Sequence, residues 1–142
     1  LSTGLIAFVV TAAMIIGHGL VAKTNLLRER QDGLEGVLKG LSESVAFILS
    51  QKSKPVVLKT IMQHLRIHDP ATAEEGYQDL VTSLDKKLLP SVDGLRNTQR
   101  LLKPRNPKLE SIKVEELIDD RIVRRLDESG FIGRLHTTYG VK

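Results

Sequence analysis

The first 22 residues, Leu1 to Ala22, carry no charge, and all 38 charged side chains (21 basic, 17 acidic) lie beyond them. This split constrains the chain more than any motif does. Leu5 to Ile16 is apolar except for Thr11, and Gly17, His18 and Gly19 then interrupt the run. A bilayer span needs roughly 20 apolar residues, whereas an apolar core of about half that length fits a buried segment or a targeting core. A signal peptide would carry basic residues ahead of its apolar stretch, and none precedes Leu5. A buried segment is therefore preferred to a membrane anchor or a leftover targeting sequence. Leu1 in place of an initiator Met is the expectation for a processed or truncated chain.

Ile6, Phe8, Val9, Val10, Thr11, Ile15 and Ile16 are β-formers. Two short strands, over this run and over Gly19 to Thr24, are the expectation for the first part. One apolar helix over residues 5–16 fits nearly as well, because periodicity cannot separate the two.

From Asn25 onward the pattern is helix after helix. Leu34, Val37, Leu38, Leu41, Val45, Ile48 and Leu49 recur at helical spacing and predict a helix from Gly33 to Gln51. Pro55 suits the first turn of the next, with Val57, Leu58, Ile61, Met62 and Leu65 sharing a face. Asp69-Pro70 reads as an N-cap and first-turn proline, with Ala73, Tyr77, Leu80, Val81 and Leu84 inward. Ser91 caps a fourth helix that ends before Pro104, and residues 105–108 read as a loop. A last helix begins after Asp119 or Asp120 and runs through Ser129. Gly130 stops it, and Phe131 is placed to pack back on it. The organisation predicted is an uncharged segment over 1–22, a helical part over 23–135 and a tail over 136–142, with no solenoid repeat.

At 142 residues the length suits one ordinary domain or part of a larger one, and 41% hydrophobic with 27% charged residues is a globular balance. No cysteine is present, which removes disulfides, thiolate zinc sites and cysteine nucleophiles. A net charge of +4 and a pI near 9.5 are only mildly basic.

Motifs that carry chemistry are mostly absent. His64 and His68 have the spacing that puts two imidazoles on one helix face, but Leu65 stands where a zincin needs its glutamate. Helix-end histidines outside a metal site are expected. Glu74–Glu75, Glu115–Glu116 and Asp119–Asp120 are adjacent pairs whose members diverge by about 100° on a helix. They suit helix N-termini rather than acid–base catalysis. No serine has a Gly-x-Ser-x-Gly context, and Gly33, Gly36 and Gly40 match neither the dinucleotide nor the Walker spacing. No enzyme is expected, and no metal or other cofactor.

Arg96, Arg100 and Lys103 form a stripe, extended by Arg105 and Lys108, that could track phosphates. It lacks interleaved aromatics and a base-reading cluster, so a solvated face is preferred to a nucleic-acid site.

The run from Val114 to Ile132, with Ile118, Asp119, Asp120, Arg121, Val123, Arg124, Leu126, Asp127, Ser129, Gly130, Phe131 and Ile132 at the matching positions, resembles a known ending. It is similar to the close of substrate-binding proteins of nitrate/sulfonate/taurine-type ABC transporters, the broad group related to thiamine-precursor synthases. Gly19–Arg30, Gly40–Ile48, Leu65–Pro70 and Arg105–Lys108 resemble family segments in the same order. Gln31, Ile122 and Gly133 depart from its usual Pro, Phe and Asp.

The resemblance implies a mainly α chain with one or two N-terminal strands, forming the C-terminal part of a type II periplasmic-binding-protein α/β clamshell. It implies a fragment of a periplasmic, or otherwise extracytoplasmic, solute-binding component. The whole protein would hold a small anion, sulfonate or heterocycle and deliver it to an ABC permease, without nucleic acid or cofactor. Gly17, His18 and Gly19 would fall near the hinge and are the only ligand-site candidates. Helices shaped to cover a sheet must bury their apolar faces elsewhere if that sheet is absent, so self-association is expected. A small membrane-anchored helical protein, and a helical nucleic-acid binder using residues 96–108, are the alternatives.

Overall fold

The computed structural model describes residues 20–142. These residues are mainly helical, with seven α-helices, two short 3₁₀ helices and no strand among them. The α-helices are α1 (Thr24–Glu29), α2 (Gln31–Leu49), α3 (Lys54–Leu65), α4 (Pro70–Ser83), α5 (Val92–Leu102), α6 (Arg121–Glu128) and α7 (Phe131–Tyr139). The 3₁₀ turns, Pro107–Ser111 and Val114–Leu117, follow α5.

The strand expected over Gly19 to Thr24 is corrected. Residues 20–23 have no regular structure, and Thr24 opens a helix in which the Leu27 amide bonds the Lys23 carbonyl at 3.3 Å. A strand needs a partner edge, and none exists among the described residues. The strand-or-helix reading of residues 5–16 and the α/β reading that depends on it lie outside the described residues.

The caps account for several boundaries. Asp69 takes the amides of Ala71 and Thr72 on its carboxylate at 3.3 and 3.0 Å, and Pro70 follows it in the first turn of α4. Ser91 Oγ accepts the Gly94 amide at 3.0 Å and opens α5. Gly130 adopts φ +74 between α6 and α7, a conformation that glycine reaches without a Cβ penalty. Where a tail was expected from residue 136, α7 continues to Tyr139.

The described residues fall into two compact units. In the larger, Ala22–Leu89 with Arg121–Lys142, helix α2 packs against α1, α3, α6 and α7, and α3 packs on α4. Its core joins Val123, Leu126 and Ile132, against which Leu38, Leu88, Leu89, Ile122 and Phe131 are partly buried. Leu88 reaches this core through a backbone held at φ +59, in a turn where Asp85 accepts the amides of Lys87 and Leu89 at 2.9 and 3.0 Å. Tyr77 of α4 is 1% exposed and donates its hydroxyl to the Ile48 carbonyl at 3.1 Å.

The face that α2 buries differs from the one its hydrophobicity suggests. Leu34, Ser42, Val45 and Ala46 are buried, whereas Val37 and Leu41 are 48% and 38% exposed. Ser42 enters the interior because its hydroxyl returns to the Leu38 carbonyl at 2.8 Å, leaving no unsatisfied polar group. The small side chains at 42 and 46 suit close packing, and that preference turned the helix.

The smaller unit comprises Leu20, Val21 and Pro90–Asp120 among the described residues. Its buried apolar side chain is Val114. Most of its organisation comes from polar contacts: the Gln99 side-chain amide donates to the carbonyls of Leu109 and Ile112 at 2.6 and 2.7 Å.

Candidate functional site

Gly17, His18 and Gly19, the hinge candidates, lie outside the described residues. The histidine pair is placed as expected for helix ends. His64 is in the last turn of α3, but Arg66 turns left-handed at φ +54 and ends the helix, so His68 stands beyond it. The i, i+4 geometry a metal would need is therefore not made. No group of three metal-ligating side chains occurs among the described residues.

Glu74, Glu115 and Glu116, from two of the three adjacent carboxylate pairs, are engaged in ion pairs. Glu74 pairs with Lys54 at 2.5 Å and accepts from Gln78 at 2.8 Å, so its pKa is held below the ordinary glutamate value, chiefly by the Lys54 hydrogen bond. Glu115 is lowered too, first by its own backbone amide and then by Arg96. Glu116 faces Lys113 at 3.3 Å. These are ion pairs on the surface.

The 96–108 stripe is partly neutralised within its own unit. Arg96 binds Asp93 at 2.8 Å and Glu115 at 2.5 Å, and Lys103 binds Glu110. Arg100, Arg105 and Lys108 keep no carboxylate partner among the described residues. What remains is three cations without an aromatic platform, which is poor equipment for holding single-stranded nucleic acid.

Two concave sites stand out. The first, about 310 Å³, lies where α2, α6 and α7 meet and is lined by Glu35, Lys39, Arg125, Ser129, Phe131 and Arg134, with Leu126 at its base. Glu35 bonds Lys39 at 2.8 Å and Arg125 at 3.2 Å, and the Lys39 hydrogen bond is the main reason its carboxyl is held below the usual range. The Lys39 ammonium also stands 5.9 Å over the Phe131 ring, and Arg134 Nη1 donates to the Ser129 carbonyl at 3.1 Å. These contacts tie three helices together, so the site is a clasp. Nearby, Tyr139 donates to Glu43 at 2.8 Å and meets Phe47 edge-on at 6.1 Å.

The second is a groove of about 690 Å³ on α3, lined by Pro55, Leu58, Lys59, Met62, Gln63, Arg66 and His68. It has no carboxylate in its lining. Sequence reading missed it, although a signal was available: no acidic residue occurs between Glu43 and Asp69, while Lys52, Lys54, Lys59 and Arg66 fall in that interval.

Among the described residues, no helix is long and apolar enough to cross a membrane. No family model, curated protein or solved structure matches the chain.

Proposed function

We propose that the chain is the helical C-terminal scaffold of a solute-binding component of an ABC importer, of the nitrate/sulfonate/taurine type. In this reading its full-length parent closes two lobes of a type II α/β clamshell around a small anion, sulfonate or heterocycle. It then docks outside the cytoplasm on a permease. The scaffold itself does no catalysis. Gly17, His18 and Gly19 belong to the hinge, and any strand of this portion belongs to residues before Leu20.

One observation carries the reading. The helices that carry two family-like segments, 40–48 on α2 and the 121–132 part of the closing string on α6 and the start of α7, pack on each other. Helix α2 lies against α6 and α7, and Leu38, one turn before the first segment, joins the Val123–Leu126–Ile132 core. The order of the resembling segments therefore accompanies a shared packing unit, as expected of a scaffold. The uncovered Val37 and Leu41 on α2 add support, since an amphipathic face left open belongs against another layer. Alone, the chain would self-associate through such surface.

The test is the intact mass of the endogenous product, captured from its source cells with an antibody to residues 114–135. A product much heavier than 15.7 kDa supports the reading and directs ligand screening to the full protein. A product near that mass removes the room for a second lobe and overturns it.

A further inference from the structure

The groove on α3 combines three features that ordinary surface does not. Pro55, Leu58, Lys59, Met62 and Gln63 are spaced at 0, 3, 4, 7 and 8, so one face of α3 supplies most of its lining, and Arg66 at the left-handed C-cap and His68 beyond it supply the rest. That face is apolar along Leu58 and Met62, both only half-buried, and Leu65 beside them is 67% exposed. Its other edge carries Lys59 and Arg66, which have no carboxylate partner among the described residues, whereas Lys54 on the same helix is matched by Glu74. A helix with an open apolar seam and an unmatched cationic edge is complementary to an acidic, apolar-faced surface.

Spacing selects the form of that surface. Lys59 lies within α3 and Arg66 at its left-handed C-cap, so the two cations stand at separate points along the helix. A lone phosphate engages one of them and leaves the apolar seam wet. A facing helix with carboxylates along one edge reaches both while its own apolar residues cover Leu58 and Met62. Met62 suits such a contact because its unbranched thioether adapts to the partner's shape. An anionic bilayer has the right sign of charge, but residues 52–68 contain no aromatic anchor. We infer that the Leu58–Met62 face of α3, edged by Lys59 and Arg66, docks an acidic amphipathic helix of a partner protein. This goes beyond the scaffold reading and does not depend on it.

The experiment uses the full chain, isotopically labelled, and two labelled helical peptides. Both have leucine at the seam positions; one has glutamate at the flanking positions and the other lysine. The glutamate peptide is expected to bind at least about tenfold more tightly, to weaken as salt rises, and to shift the amide resonances of residues 55–66. The double variant Lys59→Glu, Arg66→Glu is expected to lose the glutamate peptide and to gain the lysine one. Both side chains are exposed, so circular dichroism should show the fold intact. Equal binding of the two peptides, or glutamate-peptide binding unmoved by the double reversal, overturns the proposal. Resonance shifts centred on residues 96–108, or binding only to phosphatidylglycerol vesicles, overturn it as well.

Discussion

Helices α2, α6 and α7 and the stretch from Pro90 to Asp120 are held by different forces. The first three close over Val123, Leu126 and Ile132. The second buries Val114 and is otherwise tied by Gln99, by Arg96 with its two carboxylates, and by Lys103 with Glu110. Apolar burial is non-directional and survives salt, whereas exposed ion pairs are screened and side-chain amides depend on geometry. The difference teaches that a chain rich in helical pattern can still contain a segment whose order rests on a few polar atoms.

The largest effect should come from Ile132→Ala. Ile132 is 1% exposed, and its truncation is expected to cost about 2–5 kcal/mol in urea unfolding followed by circular dichroism. Gln99→Ala comes next. Two carbonyls lose their donor, and a cost of about 1–3 kcal/mol is expected, read as faster amide exchange across residues 109–116. A larger loss from Gln99→Ala than from Ile132→Ala would break the comparison. Gly130→Ala is expected to cost about 1 kcal/mol, because φ +74 disfavours a Cβ. The methyl would approach Arg134 Nη1 at 3.1 Å, but that flexible end can move aside.

Salt and pH give the smallest effects and sharpen the contrast. High salt should speed exchange in residues 92–117 more than in α2, because the 90–120 stretch depends more on exposed pairs. Glu35, Glu74 and Glu115 all have lowered pKa values, with Lys39, Lys54 and Glu115's own amide as the first causes. A lowered carboxylate stabilises the fold above its unfolded pKa, and the contribution is lost as pH falls through the folded value. Stability should therefore be flat near neutrality and decline below the ordinary glutamate value of 4.5. Tyr139 is raised, chiefly by its hydrogen bond to Glu43. Its contribution should be full below the ordinary tyrosine value of 10.0 and lost as pH rises through the raised one. A pH titration of unfolding midpoints checks both limbs.

Much of the helical order was legible because its signals are local. Asp69-Pro70, Ser91 and Gly130 act within a few residues of themselves, so their caps and stops stand where expected. Positions 19–24 misled because Leu20, Val21 and Thr24 favour a strand only where an edge exists to receive one. The α3 groove went unseen because its mark is a missing residue type, and because its openness depends on what its neighbours leave uncovered.

The sequence by itself determined that residues beyond 22 form successive amphipathic helices, where most of them begin and end, and that no cysteine chemistry is possible. Tertiary structure alone shifted the buried stripe of α2, so that Ser42 and Ala46 enter it while Val37 and Leu41 stay exposed. It also decided that Asp85 bends the chain to bring Leu88 to the core, that Gln99 reaches two distant carbonyls, and that Lys59 and Arg66 remain unmatched while Lys54 finds Glu74. The reason is physical: caps and periodicity are properties of a few consecutive residues, whereas burial and pairing are properties of neighbours that only the folded chain brings together.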